Sequence, residues 1–178
     1  MSAADPSRGA DGPYVSIRDA TPADAAAIAD LTRRAFAQQA ALYEDDTLPP
    51  LGDTADTVLA TMERGLVLVA EDAEGTVVGS VRGEMRGGCC LVSRLVVEPS
   101  LQARGIGRAL ASALEACFGQ AERFEIFTGH RSEPALHLYE SLGYTRERTE
   151  YVHERLSLVF LVKKTAAGGA GTNPGTPG

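Results

Sequence analysis

Tryptophan is absent, and aromatic residues make up only 6% of the 178 positions. Cysteine is scarce: Cys89, Cys90 and Cys117, an odd number with no Cys-x-x-Cys spacing. A disulfide framework and a thiolate zinc site are therefore not expected, and the adjacent Cys89 and Cys90 read as packing groups. Basic residues are outnumbered, 17 against 24, giving a net charge of -7. A protein built to hold nucleic acid is usually basic, so no nucleic-acid partner is expected. No apolar run reaches the roughly 18 residues that cross a bilayer, so no membrane partner is expected either. Met1 to Pro13 has no apolar core of the signal-peptide kind, and a reducing, cytoplasmic setting follows as the expectation. The spacings of His130, His137 and His153 give no metal pattern.

What is present begins with glycine and proline, 19 and 9 residues. Seven of the glycines and four of the prolines lie in residues 1–13 and 166–178. These two stretches lack the apolar side chains that offset ordering entropy and read as disordered tails. A single domain over residues 14–165 remains, with apolar and charged fractions (44% and 23%) of an ordinary globular chain.

Tyr14 to Arg18 alternates as a strand. Thr21, Pro22 and Asp24 then form a capping-box-like helix entry, with Ile28, Leu31, Ala35 and Phe36 on one face as far as about Gln39. Pro49 and Pro50 break helix, and Asp53 and Asp56 read as caps of a second helix ending near Gly65. Leu66–Ala70, Thr76–Glu84 and Cys89–Glu98 read as strands. Ile106, Leu110, Leu114 and Cys117 mark a helix, and Phe124–Thr128 a strand. Ser132 heads a helix that Gly143 stops, and strands over about 144–154 and 156–163 follow. The order β α α β β β α β α β β predicts an α/β fold: a mixed, mostly antiparallel sheet of about seven strands flanked by four helices.

The most informative stretch is Leu95 to Leu110. A strand ends, and Arg104-Gly105-Ile106-Gly107-Arg108 opens a helix. The first amides of a helix lack internal partners and its macrodipole is positive there, so this loop suits a phosphate or pyrophosphate. It is neither a P-loop, because Arg108 and Ala109 follow Gly107, nor a dinucleotide fingerprint, because Leu110 stands where Gly or Ala is needed.

Gln102-x-x-Gly105-x-Gly107, preceded by Leu95-Val-Val-x-Pro99, resembles the acyl-CoA loop of the GNAT superfamily of N-acetyltransferases. Ser132-x-x-Ala135-x-x-x-Tyr139-x-x-x-Gly143-Tyr144 resembles the same family's second signature. The resemblance covers about Val15 to Lys164. It implies acetyl-CoA as cosubstrate, with the backbone of Leu95, Val96 and Val97 along the pantetheine arm. It places the pyrophosphate on Arg104, Gly105, Ile106, Gly107 and Arg108, and Gln102 and Ser132 beside the cofactor. It implies direct attack of a primary amine on the acetyl carbonyl, with the Tyr139 hydroxyl protonating the leaving thiolate.

The base is less marked. Leu91 and Phe127 stand where protein-directed members of the family carry a glutamate, which turns the expectation from a protein N-terminus or lysine toward a small-molecule or amino-acid-like amine. His130, just past the fifth strand, is the candidate base, with Glu84 and Ser93 as lesser ones. His153 reads as structural or substrate-facing. Six acids and no base between Glu44 and Glu63 suggest an acidic rim for a cationic amine. The alternative is an acyl-CoA-binding or regulatory module without turnover. A monomer, or a homodimer paired through the last strand, is expected.

Overall fold

The computed structural model describes residues 15–169. The two tail segments fall largely outside these residues; within them Ala167–Gly169 forms one 3-10 turn, its Gly168 amide donating to the Thr165 carbonyl. The described chain holds seven strands: β1 (Ser16–Asp19), β2 (Leu66–Glu71), β3 (Val77–Arg86), β4 (Cys89–Val97), β5 (Arg123–Gly129), β6 (Thr145–His153) and β7 (Leu156–Lys164). Its α-helices are α1 (Ala25–Tyr43), α2 (Ala55–Arg64), α3 (Ile106–Cys117) and α4 (Glu133–Ser141). The strands form one sheet in the order β1-β2-β3-β4-β5-β7-β6, and only the β4–β5 pair is parallel. The expected fold class, strand count and helix count are all observed.

Strand alternation decides which face each helix covers. Val67 and Val69 of β2 face one side and pack with Ala25, Ile28 and Ala29 of α1 and Val58 of α2. Leu68 and Ala70 face the other, in a cluster with Cys90, Val92, Phe124, Ile126 and Leu161 that α3 and α4 close through Ile106, Leu110, Leu114, Leu136 and Tyr139. Leu110 and Leu114 are fully buried, each contributing about 1.5–3 kcal/mol of apolar burial. Cys90 lies in this core, and burial pushes its thiol up to about 12. It packs as expected and is a free thiol, like Cys89 and Cys117.

Three local readings change. Helix α1 runs four residues past Gln39, to Tyr43, and ends at Glu44 in the left-handed conformation (φ 49°). The cap of α2 is Thr54, which accepts from the Thr57 amide, so Asp53 is free for another task. The last strand is not an edge: β7 lies between β5 and β6, so it offers no free ladder to a second copy. The edges are β1 and β6, and β6 is exposed over eight of its nine residues.

At the far end of β5, Gly129 is required by a close approach. A Cβ there would lie 2.2 Å from the Tyr43 hydroxyl. That hydroxyl is pinned, since it shares a hydrogen bond with Ser132 Oγ (2.8 Å) and accepts from the Arg131 amide (2.9 Å). Gly129→Ala is expected to destabilise the fold by about 1–3 kcal/mol in urea unfolding; an unchanged midpoint would refute the contact.

The start of α1 is held by charge. The Asp24 carboxylate accepts from the Thr21 amide (2.7 Å) and pairs with Arg18, which also bridges to Glu71. The hydrogen bond from Arg18, helped by that amide, lowers the Asp24 carboxyl from 3.8 to about 2. A depressed carboxyl stabilises the fold while it is ionised. The contribution is therefore present above about pH 4 and is lost as pH falls toward 2. Asp24→Asn should unfold at lower urea than wild type at neutral pH, with the gap closing near pH 2. A gap independent of pH would mean that the ion pair contributes nothing.

Candidate active site

The site begins where two neighbouring strands part. β4 and β5 pair only through Cys89–Arg123, Cys90–Phe124 and Leu91–Glu125. Beyond Leu91, β4 stays on β3, but Ser80 pairs with Val96 and Arg82 with Ser93, so β4 carries one extra residue there. This is a β-bulge, and Arg94 within it takes a left-handed φ of 51°. Bulges bend the strand that carries them. The result is a cleft in mid-sheet, with the β4 backbone from Val92 to Val97 without a strand partner on the β5 side. Val96 turns inward to Leu31 and Ala35 of α1, while Leu95 and Val97 pack against the α3–α4 core.

The glycine loop lies at the end of β4. Pro99–Leu101 is a 3-10 turn, Ala103 takes φ 60° and Gly105 takes φ 86° as the N-cap residue of α3. Glycine adopts that conformation without the penalty a side chain brings. Gly105 and Arg104 are exposed. Gly107 sits in the first turn with ordinary helical backbone, its face toward Leu138 and Val97. Ile106 is buried and anchors the turn. Gln102 closes the loop on the strand, donating to the Val97 carbonyl (3.4 Å) and to Gln38 of α1 (3.5 Å). Arg108 is exposed and donates to Ser141 Oγ (2.6 Å), tying α3 to α4. The first amides of α3 thus face outward beside two guanidiniums, the arrangement an anion needs.

Helix α4 brings Tyr139 to the core side of the cleft. It is 6% exposed, its ring 6.1 Å from that of Tyr144, and burial raises its phenol above the ordinary range. The group therefore stays protonated at neutral pH, as a proton donor must. Ser132 behaves differently from its expected capping role. It makes no side-chain cap hydrogen bond, is buried, and spends its hydroxyl on Tyr43 and Gln39 (2.7 Å). It binds α1 to α4, and a ligand could meet it only by displacing one of those partners.

His130 is exposed just past β5, its Nδ1 beside both the amide (3.0 Å) and the carbonyl (3.3 Å) of Ser157. His153 is structural: its Nδ1 accepts from the Arg155 amide (3.2 Å) and its Nε2 faces Asp45 (2.9 Å), fastening the β6–β7 turn to the α1–α2 connection.

On the α1–α2 face of the sheet, a cavity of about 320 Å³ opens over β4 and β5. Leu91, Ser93, Phe127 and Phe160 line it, with Glu84 and Glu125 among its walls. Glu84 pairs across the sheet with Leu91, and Leu91 with Glu125, so the two carboxylates flank one leucine in a single row. Glu84 is loosely paired, to Arg86 (3.5 Å) and Arg64 (3.8 Å). Glu125 is held by Arg123 (3.1 Å) and Arg148 (3.5 Å).

Residues 63–146 match the family model of the GNAT acetyltransferase domain. Over these residues, a little under half of the chain, the protein is similar to that domain. Over 115 residues it is 27% identical to UPF0157 protein YqkA of Bacillus subtilis, a match covering 65% of this chain and 33% of that protein. The chain thus spans about a third of the curated relative it matches. The GNAT fold recurs in phosphinothricin acetyltransferase from Sinorhizobium meliloti, solved with acetyl-CoA, at 21% identity and a TM-score of 0.73 over 89% of this chain and 92% of that one. It recurs in yncA from Salmonella typhimurium, solved with its cofactor acetyl-CoA, at 24% identity and a TM-score of 0.68 over 88% and 98%.

Three of the six acids between Glu44 and Glu63 are matched at close range. Asp53 is buried against Arg82 and Arg94, Glu44 pairs with Arg155, and Asp45 is taken up by His153 and Thr47. Asp56 sits in the first turn of α2, where a helix favours an acid. Sequence reasoning also missed Glu125 and Arg94. Glu125 has a readable signal, since it stands two residues before Phe127 and so shares its sheet face. Arg94 has none, because a bulge breaks the alternation that would place it.

The two loop glycines should separate in stability measurements. Gly105 has open space around it, but its φ is costly for a side chain, so Gly105→Ala should lose about 1–2 kcal/mol. A Cβ on Gly107 would meet Leu138 at 3.4 Å, ordinary contact, so Gly107→Ala should hold or gain up to about 1 kcal/mol. Equal losses in urea unfolding would contradict the loop geometry.

Proposed function

We propose that the chain is an N-acetyltransferase that moves an acetyl group from acetyl-CoA to a primary amine by direct attack within a ternary complex. The observation that carries this reading is the opening of the sheet after Leu91–Glu125, with the N-terminus of α3 at one end and Tyr139 in the core against which Leu95 and Val97 pack. The residues present fit the cosubstrate. Gly105 is exposed with nothing near its missing Cβ, so phosphate oxygens have room to reach the amides of Arg104 to Arg108. The unpaired edge of β4 at Leu95, Val96 and Val97 offers backbone groups to an extended amide-bearing arm, as a strand would. Gln102 holds that edge to the loop.

Acetyl-CoA supplies an activated acyl carbon and a thiolate leaving group. The protein's part is electrostatic and positional. A β4 amide near Val96 or Val97 donates to the carbonyl oxygen as it gains charge. The amine's nitrogen forms its bond to the acyl carbon as the carbon–sulfur bond breaks. The Tyr139 phenol gives its proton to the departing sulfur. The nitrogen's surplus proton passes toward Glu84 or Glu125 at the cavity wall. The acceptor is a small or amino-acid-like amine that enters from the cavity face.

The test is thiol release from acetyl-CoA over a panel of amines, amino acids and peptides. Tyr139→Phe should lower kcat by about 10²–10⁴-fold, the usual span for a lost acid, with CoA affinity little changed. Arg104→Ala, which removes an exposed cation beside the loop, should do the reverse, weakening CoA binding in calorimetry while the fold holds. Saturable CoA binding with no release from any amine would instead favour a binding module.

A further inference from the structure

The charge balance behind the cavity is the wrong way round for a site that takes a simple cation. Asp53, 5% exposed, lies in the connection between α1 and α2. Its Oδ2 accepts from Arg82 Nη2 at 2.7 Å and from Arg94 Nε at 3.2 Å, and its Oδ1 from Arg94 Nη2 at 3.4 Å. Arg33 adds a third guanidinium, bound to the Asp53 backbone carbonyl at 2.5 Å. One carboxylate therefore answers Arg82 and Arg94 together, and the cluster carries a surplus positive charge. Its strain is visible at Arg82, which is 5% exposed yet keeps Nε without any hydrogen-bond partner. Burial, and then the charge of Arg94, pull the Arg82 guanidinium below its ordinary value. A buried cation that is only partly answered is stabilised by a further anion.

Arg94 is the member of the pair that an anion can reach. Its side chain is 22% exposed, against 6% for Arg82. It follows Ser93, which lines the cavity, and it occupies the bulge, three residues past the last β4 residue paired with β5. Its φ of 51° is rare for a side chain other than glycine, asparagine or aspartate, so the backbone holds this guanidinium in place at a local cost. Asp53 grips one edge of the group and pre-orients the rest. A guanidinium fixed in this way recognises a carboxylate in two-pronged fashion.

We infer that the acceptor carries a carboxylate beside its amine, as an α-amino acid does, and that Arg94, backed by Arg82, is the residue that binds it. The inference rests on the acetyltransferase reading. A carboxylate seated at the bulge places an amine one carbon away beside the Leu95–Val97 edge, where attack has to occur. The carboxylates of Glu84 and Glu125 lie farther along the cavity, by Leu91, where they disfavour the reversed orientation and leave the ammonium a route for its proton.

The experiment compares each proteinogenic amino acid with its carboxamide, both in thiol release and in calorimetric binding to the CoA-loaded protein. Wild type should favour the free acid by about tenfold or more, the worth of a hydrogen bond to a charged group. Arg94→Gln should abolish that preference through KM with CoA affinity unchanged, and Arg94→Lys should restore part of it. Carboxamides turned over as well as acids would overturn the inference and leave the acetyltransferase reading standing. Acid-selective binding without thiol release would do the opposite. If acids neither bind nor react better than carboxamides in wild type, Arg94 is structural and the inference fails, whatever the variants do.

Discussion

One additional residue in β4 organises the molecule. The β4–β5 pairing ends at Leu91–Glu125, and just beyond it, between Arg82–Ser93 and Ser80–Val96, the β3–β4 ladder takes up a bulge. A sheet that is sealed elsewhere is thus opened at its centre, between its only parallel pair. Backbone donors and acceptors stand exposed in the interior of a domain, where they normally cost free energy unless something pairs with them. The neighbouring elements accommodate that opening. α3 begins at its rim, α4 closes one side with Tyr139, and the α1–α2 connection covers the other with Asp53.

The charges follow the same constraint. Arg94 takes a left-handed backbone because it sits in the bulge, and its guanidinium then reaches the carboxylate that Arg82 also holds. The acids of the α1–α2 region are therefore fasteners more than a field. Asp45 fixes the β6–β7 turn through His153, Glu44 holds Arg155, and Asp53 ties the loop to the sheet. Three of the six acids in this region are thus matched locally.

Much of this was legible in the sequence where periodicity and turn chemistry act locally. The alternation of β2, the 3.6-residue face of α3 and the stop at Gly143 (φ 98°) depend on neighbours in the chain, and each was placed within a few residues. Gly105 was readable for the same reason, because its demand is conformational. Asp53 was misread as a cap, since the choice between Asp53 and Thr54 as cap rests on Arg82 and Arg94, 29 and 41 residues away. Ser132 was misread similarly as a side-chain cap: its hydroxyl goes to Tyr43 and Gln39, partners set by tertiary structure. The bulge itself left no trace, because an extra residue in a strand looks like any other residue until its partner is known.

The exposed strand β6 carries a separate consequence. Arg146, Glu147, Arg148 and Glu150 crowd it with both signs, paired to Glu140, to Glu125 and to one another, and Arg148 lies 3.8 Å over the ring of Phe160. A flat apolar strand at a sheet's rim is a template on which other chains can add and polymerise. Here any incoming strand would have to dehydrate and separate this mesh of opposite charges before reaching the ladder. The rim is thus guarded against runaway assembly by side chains that take no part in the cleft, which frees the sheet to keep its unpaired backbone at the centre.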